Sequence, residues 1–223
     1  MLHNDYFEAG YHVFGLHGVT RGCCHCGNPE CKAFYKHPMV SNWQHTPLWS
    51  KEQFAVMEMT GQLDSGFGVL CDGYLVIDID PRNGGNESYD KLAADLNIDF
   101  KDDAGFVVAT GGGGWHIYYK HEGAERLQSH LDLYPGIDFK SSGFVVGAGS
   151  MHNSGNPYEV EEGFPDELTV LPAALFDILV KKITVKTEFN AISEVVCESE
   201  LKEYLDHVPN KDLDYEEWIE IGM

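Results

Sequence analysis

The sequence predicts an α/β or α+β fold built on one main sheet, and three features carry that prediction. Short runs rich in Val, Ile, Phe and Tyr, such as "YLVIDID", "GFVVAT", "WHIYYK" and "GFVVGAG", have the composition of strands. Between them lie segments whose apolar residues recur at helical spacing, "NESYDKLAADLNI" most clearly. The 223 residues, 43% of them hydrophobic, suffice for one sizeable core or for a catalytic domain with small appendages.

Taken in order, the residues from Met1 to about Val40 are punctuated by Gly, Cys and His and read as loops around a metal knuckle. "PLWSKEQFAVMEMTG" is expected to form a helix with Ser50 as N-cap, Gln53 at its third position and Gly61 as its stop. "FGVLCDGYLVIDID" reads as two short strands around a turn at Asp72-Gly73. A second helix follows, with Tyr89, Leu92, Ala93 and Leu96 on its apolar side. "GFVVAT", "WHIYYK" and "GFVVGAG" supply further strands, and Asp138 opens another strand-like run at "IDFK". "PAALFDILVKKI" has proline in its first turn and is apolar on most sides, which predicts a buried helix closing the domain. After Thr187 the pattern changes to a helical stretch, a Val-Pro break and an apolar "WIEIGM" that ends abruptly. We therefore expect a main domain over 1–186 and, at 187–223, a segment cut from a longer protein. There is no internal repeat.

Composition narrows the function. No stretch approaches the roughly 18 to 20 apolar residues of a membrane span, and the N-terminus lacks a basic segment followed by an apolar one. A soluble, intracellular protein with no membrane partner is expected. Four of the six cysteines (Cys23, Cys24, Cys26 and Cys31) crowd together while Cys71 and Cys197 stand alone, which favours a metal site in a reducing compartment over a disulfide framework. The net charge of −21 opposes a simple DNA-coating role. Part of the excess is local, since residues 187–223 hold 11 acids and two lysines. Any nucleic-acid role then needs bound cations, a local basic groove or basic regions elsewhere.

Four stretches carry chemistry. In "YLVIDIDPRNGG", Asp78 and Asp80 are spaced i and i+2, so a strand would present both carboxylates on one side, about 6.5 to 7 Å apart, with Ile77 and Ile79 facing the core. Mutual repulsion raises their affinity for protons unless a cation joins them, and Mg²⁺ or Mn²⁺ is the natural partner. The plainer alternative is a solvated strand end. In "TGGGGWHIYYK" the glycines, Gly113 and Gly114 among them, let backbone N–H groups approach a phosphate, and the strand after them aligns His116, Tyr118 and Lys120 on one face. In "GIDFKSSGFVVGAGSMHNSGNPYEV", Asp138 and Lys140 share a face and His152 sits in a Gly/Ser-rich turn. Asp138 would supply a third carboxylate for a two-cation site. Finally, "CCHCGNPECKAFYKHP" offers Cys24, Cys26, Cys31 and His37 as four zinc ligands, with Cys23 and His25 as possible substitutes and reduced, unliganded thiols as the alternative.

In their order these stretches resemble the bifunctional primase-polymerase (prim-pol) domain of the archaeo-eukaryotic primase superfamily, in the version found in phages, plasmids and mobile elements. The similarity covers about residues 10–180. Its knuckle form "CxCG…C…KHP" is matched by Cys24, Cys26, Gly27, Cys31, Lys36, His37 and Pro38, with Tyr35 where a glycine is common. A strand ending in "DIDPRNGG" matches at Asp78 and Asp80, and a glycine-rich turn leading to a strand histidine matches at His116. The third motif matches at Asp138, Lys140, Gly143, Ser150, His152, Gly155 and Tyr158, departing at "GAGS", where two prolines are usual, and at Phe139-Lys140, where arginine is frequent.

The resemblance implies a two-layer fold with an RRM-like catalytic sheet and a zinc knuckle inserted within 23–38. Asp78, Asp80 and Asp138 would hold two Mg²⁺ or Mn²⁺ ions, and the knuckle one structural Zn²⁺. His116 would contact the incoming nucleotide, with Lys140, Arg82, Gly113, Gly114, Ser150 and His152 helping to bind its triphosphate. The implied activity is template-directed nucleotidyl transfer, as DNA primase, DNA polymerase or both, on a single-stranded DNA template with a primer and NTP or dNTP. "LDYEEWIEIGM" is similar to the start of the small helical domain that often precedes a fused helicase. A phage or plasmid replication protein in the cytoplasm of a bacterial or archaeal host is then expected. A metal-dependent nuclease and a non-catalytic zinc-bearing replication module are the competing readings.

Overall fold

Strand runs with apolar residues on both sides need a packed layer on each face, and the architecture meets that need. The computed structural model describes residues 2–121, 123 and 127–180. The chain opens with helix α1 (Leu2–Glu8), strand β1 (Val13–Gly15) and a small hairpin of β2 (Val19–Thr20) and β3 (Cys23–Cys24). Helix α2 (Lys51–Met59), strands β4 (Phe67–Leu70) and β5 (Tyr74–Ile79), and helices α3 (Gly85–Leu96) and α4 (Phe100–Asp103) follow. Strands β6 (Phe106–Ala109), β7 (Trp115–Lys120), β8 (Ile137–Lys140), β9 (Phe144–Val146) and β10 (Glu159–Gly163) lead to helix α5 (Ala173–Leu179). A five-stranded sheet runs β10-β6-β7-β5-β8 and a three-stranded sheet runs β1-β4-β9, with antiparallel pairing throughout both. The fold is mixed α+β with antiparallel sheets.

Alternation divides the core in two. Leu75, Ile77 and Ile79 of β5 point to one face with Ile117, Tyr119 and Phe139, and meet Leu92 of α3, Phe100 of α4, and Leu175 and Leu179 of α5. Val76 points to the other face with Val108 and Tyr118, and meets the three-stranded sheet through Phe67 and Val69, α1 through Tyr6, and α2 through Phe54 and Met57. Each of these wholly buried side chains contributes about 1.5 to 3 kcal/mol. Strand β5 is clamped between β7 and β8, so its C-terminal end is a rigid mount.

The predicted helices at α2 and α3 form, and α2 carries the expected capping box between Ser50 and Gln53. Two local expectations are corrected. The first forty residues are not all loop, since α1 and β1 form there; α1 is too short to persist on propensity and is held by burial of Tyr6 and by a 2.9 Å contact between His3 and Glu58. Strands β4 and β5 flank the turn at Asp72-Gly73 as expected, each pairing with other strands and not with the other. All four β4 residues are buried, so that strand is used inside the smaller sheet between β1 and β9. Helix α5 buries only Leu175 and Leu179 and lies along one side of the core. The expected second segment, 187–223, lies outside the described residues. Among the described residues, no helix is long and apolar enough to cross a membrane.

Candidate active site

The register of the large sheet pairs Asp78 with His116 on one side and with Asp138 on the other. Residues in register on antiparallel neighbours share a face, so two carboxylates and an imidazole form a row across β7, β5 and β8. His116 Nε2 lies 3.5 Å from Asp78 Oδ1. Lys140, two residues beyond Asp138 and on the same face, brings its Nζ to 3.6 Å from Asp78 Oδ2 and 3.1 Å from Asp138 Oδ2. The Asp78 side chain is 28% exposed and that of His116 only 5%. Burial by itself would push the Asp78 carboxyl up, but His116, Lys140 and the more distant Lys36 outweigh it and hold it at about 2. Burial pulls the Lys140 ammonium down, and the two aspartates more than offset this, leaving it above its ordinary value.

Strand β5 ends at Ile79, and Asp80 stands one residue beyond it as the cap of the turn Pro81–Asn83. Asp80 Oδ1 accepts hydrogen bonds from Arg82 N (3.0 Å) and Nε (2.9 Å), and Oδ2 accepts from Arg82 Nη2 (2.9 Å) and Asn83 Nδ2 (3.0 Å). These bonds, chiefly those from the Arg82 side chain, hold the Asp80 carboxyl below its ordinary value. A fork of this kind is geometrically specific, so a cation arriving at Asp80 competes with Arg82 and Asn83 for its oxygens.

Asp78, Asp80, Arg82, His116, Asp138, Lys140 and His152 all line one cleft of about 280 Å³, together with Lys36, Asn83, Thr110, Gly112 and Tyr158. Lys36, Arg82 and Lys140 balance the three carboxylates, so the cleft escapes the strong negative charge of the chain. His152 Nδ1 accepts the Ser154 N–H at 3.1 Å, which assigns the ring proton to Nε2 and leaves a donor for the cleft. Burial, with Lys36 and Arg82 nearby, holds the His152 imidazole below its usual value, hence neutral at pH 7.

The glycine turn is built for close packing as much as for a ligand. The N–H groups of Gly113 and Gly114 bond back to Thr110, through its carbonyl (2.9 Å) and its Oγ1 (3.1 Å), and a side chain at Gly114 would collide with the Ile79 carbonyl. Gly112, rather than Gly113 or Gly114, faces the cleft. Ser150 is buried, and its Oγ accepts the Phe67 N–H at 3.0 Å, which ties the segment after β9 to the start of β4.

The knuckle gathers Cys24, Cys26, Cys31 and His37 with one ligand atom from each, all within 4.8 Å of one another. His37 Nδ1 is 3.3 Å from Cys31 Sγ and 4.0 Å from Cys24 Sγ. Three thiols and an imidazole nitrogen in this arrangement fit a closed tetrahedral zinc site. Burial pushes the Cys24 thiol up to about 11, whereas the Asn28 N–H draws the Cys26 thiol down. Of the possible substitutes, His25 bonds Thr20 Oγ1 at 2.7 Å and Cys23 is exposed on β3, so neither joins the cluster. The three aspartates do not form such a compact group on their own.

A family model for the N-terminal domain of bifunctional DNA primase/polymerase matches residues 3–174. The chain belongs to this family. No curated protein matches it. Membership in the prim-pol family implies DNA and nucleotides as substrates, and the matched span takes in the whole cleft and the knuckle. Sequence reasoning left Lys36, Asn83, Thr110 and Tyr158 of this prim-pol cleft without a role. Lys36 and Tyr158 both had a signal as matched motif positions, and folding brings the Tyr158 ring centroid to 5.5 Å from that of His116.

Proposed function

We propose that this prim-pol domain performs template-directed nucleotidyl transfer in the cleft, as primer synthesis, DNA extension or both. The observation that carries the reading is the row of Asp78, His116 and Asp138 with Lys140 across three adjoining strands. In the reaction a 3′-hydroxyl attacks the α-phosphate of the incoming nucleotide and pyrophosphate leaves. Asp78, Asp80 and Asp138 would hold two divalent cations, Mg²⁺ or Mn²⁺, which supply an activated attacking oxygen and neutralise the triphosphate. The donor set fits, because hard ions take carboxylate oxygens and Asp78 is ionised at every physiological pH.

The remaining work is positioning and charge. Lys140 offsets Asp78 and Asp138 until the nucleotide is present. Arg82, on leaving Asp80, becomes a planar donor for phosphate oxygens. His116 and the Nε2–H of His152 are donors on the same wall. The helix-backed five-stranded sheet is read as the RRM-like catalytic sheet, and the knuckle as a structural zinc site. We extend the reading to phage or plasmid replication in a bacterial or archaeal cytoplasm, ahead of a helicase; this rests on the likeness of "LDYEEWIEIGM" and of the motif order.

Asp78→Ala and Asp80→Ala are each expected to abolish metal-dependent nucleotide incorporation while circular dichroism reports a folded chain, and full activity in either variant overturns the assignment. Labelled single-stranded DNA with Mn²⁺ separates this from nuclease action, since a nuclease shortens the strand without nucleotides. Elemental analysis is expected to find about one zinc per chain.

A further inference from the structure

Of the three lysine and arginine side chains in the cleft, two are already committed. Arg82 is forked onto Asp80, and Lys140 is paired with Asp78 and Asp138. Lys36 lines the same cleft and is exposed, and its ammonium has no ion-pair or hydrogen-bond partner among the described residues. It is nonetheless within electrostatic reach of the catalytic wall, lowering both Asp78 and His152.

The backbone around Lys36 is held by several contacts on both sides of it. Its N–H bonds the Ala33 carbonyl at 3.1 Å, and the next residue, His37, is a knuckle ligand whose carbonyl accepts the His17 N–H at 2.8 Å. Pro38 bridges to Leu16, and the Met39 N–H bonds the Gly15 carbonyl at 2.9 Å. Tyr35, just before it, holds a φ of 60°, a left-handed conformation that costs a residue with a Cβ about 1 to 2 kcal/mol and that must be imposed by its surroundings.

We propose that Lys36 is a triphosphate-binding residue of the nucleotide site, and that the Cys24, Cys26, Cys31 and His37 centre serves to aim it into the cleft. The inference rests on the nucleotidyl-transfer reading and deepens it. A nucleoside triphosphate brings about four negative charges into a cleft whose fixed charges only balance, and a free ammonium on a metal-braced turn meets the β- and γ-phosphates as a point charge. The knuckle would then contribute to substrate affinity as well as to folding.

The test measures binding of nucleoside tri- and monophosphates in Mn²⁺ by calorimetry, alongside primer extension. Lys36→Ala should retain its zinc and its melting temperature yet bind triphosphate about tenfold to a hundredfold more weakly, with monophosphate binding changed less than about twofold. Lys36→Arg should recover most of the loss, and Lys32→Ala, an exposed knuckle lysine away from the cleft, should lose nothing. Removal of zinc from the wild-type protein should weaken triphosphate binding to a similar extent and add little to Lys36→Ala. Unchanged triphosphate binding in Lys36→Ala, or an equal loss for the monophosphate, overturns the Lys36 assignment. Full affinity in zinc-free protein overturns the aiming role. A wild-type protein that binds triphosphate through Lys36 but incorporates no nucleotide overturns the transfer reading and leaves Lys36 standing.

Discussion

Asp78 stays ionised in a setting that burial alone would make hostile to charge, and its carboxyl is held at about 2 by His116 and Lys140. A carboxyl lowered on folding stabilises the native state fully above its unfolded value near 3.8, and the contribution is lost as pH falls toward about 2. The shift corresponds to about 2 kcal/mol at neutral pH in the metal-free protein. Asp78→Asn is therefore expected to destabilise the chain near pH 6, and the difference from wild type should shrink by about 1 kcal/mol by pH 3 in urea unfolding. A difference that stays constant with pH would show that the carboxylate does not gain from its two neighbours. The same carboxylate is ready for a cation without first losing a proton, whereas at Asp80 a cation competes with the Arg82 and Asn83 donors.

At the level of elements, the proposed site depends on how tightly the start of β7 lies against the end of β5. Gly114 sits where a Cβ would strike the Ile79 carbonyl and approach Pro81 Cδ to 2.7 Å. Gly114→Ala is expected to cost at least about 2 kcal/mol and to abolish nucleotide incorporation, because it pushes apart the strands that carry His116 and Asp78. Gly112 provides the control. An alanine there meets nothing closer than His152 Cε1 at 3.6 Å, so Gly112→Ala should change stability by less than about 1 kcal/mol in the same melting experiment. The contrast separates two kinds of glycine within one run, one required for close approach and one lining the cleft.

For the molecule as a whole, a chain of net charge −21 holds a cleft in which three cations offset three carboxylates. Single-stranded DNA should bind weakly in EDTA and more tightly in Mn²⁺, since cations at the aspartates turn the cleft positive, and fluorescence anisotropy under the two conditions measures the difference. Equal binding in both would place the DNA away from the aspartates. The sequence by itself determined the α2 capping box, the faces of β5 and β7, the donor types of the knuckle and the order of motifs, because those depend on local periodicity and on residue chemistry. It did not reveal α1, whose helix is held by Tyr6 and His3 against distant residues, or that β4 pairs with β1 and β9 instead of β5. Only the tertiary structure decided that Asp78 stands between His116 and Asp138, that Arg82 closes on Asp80, that Gly114 serves packing, and that Lys36 enters the cleft. The physical reason is that register, close approach and ion pairing depend on residues tens of positions apart, which local spacing along the chain does not encode.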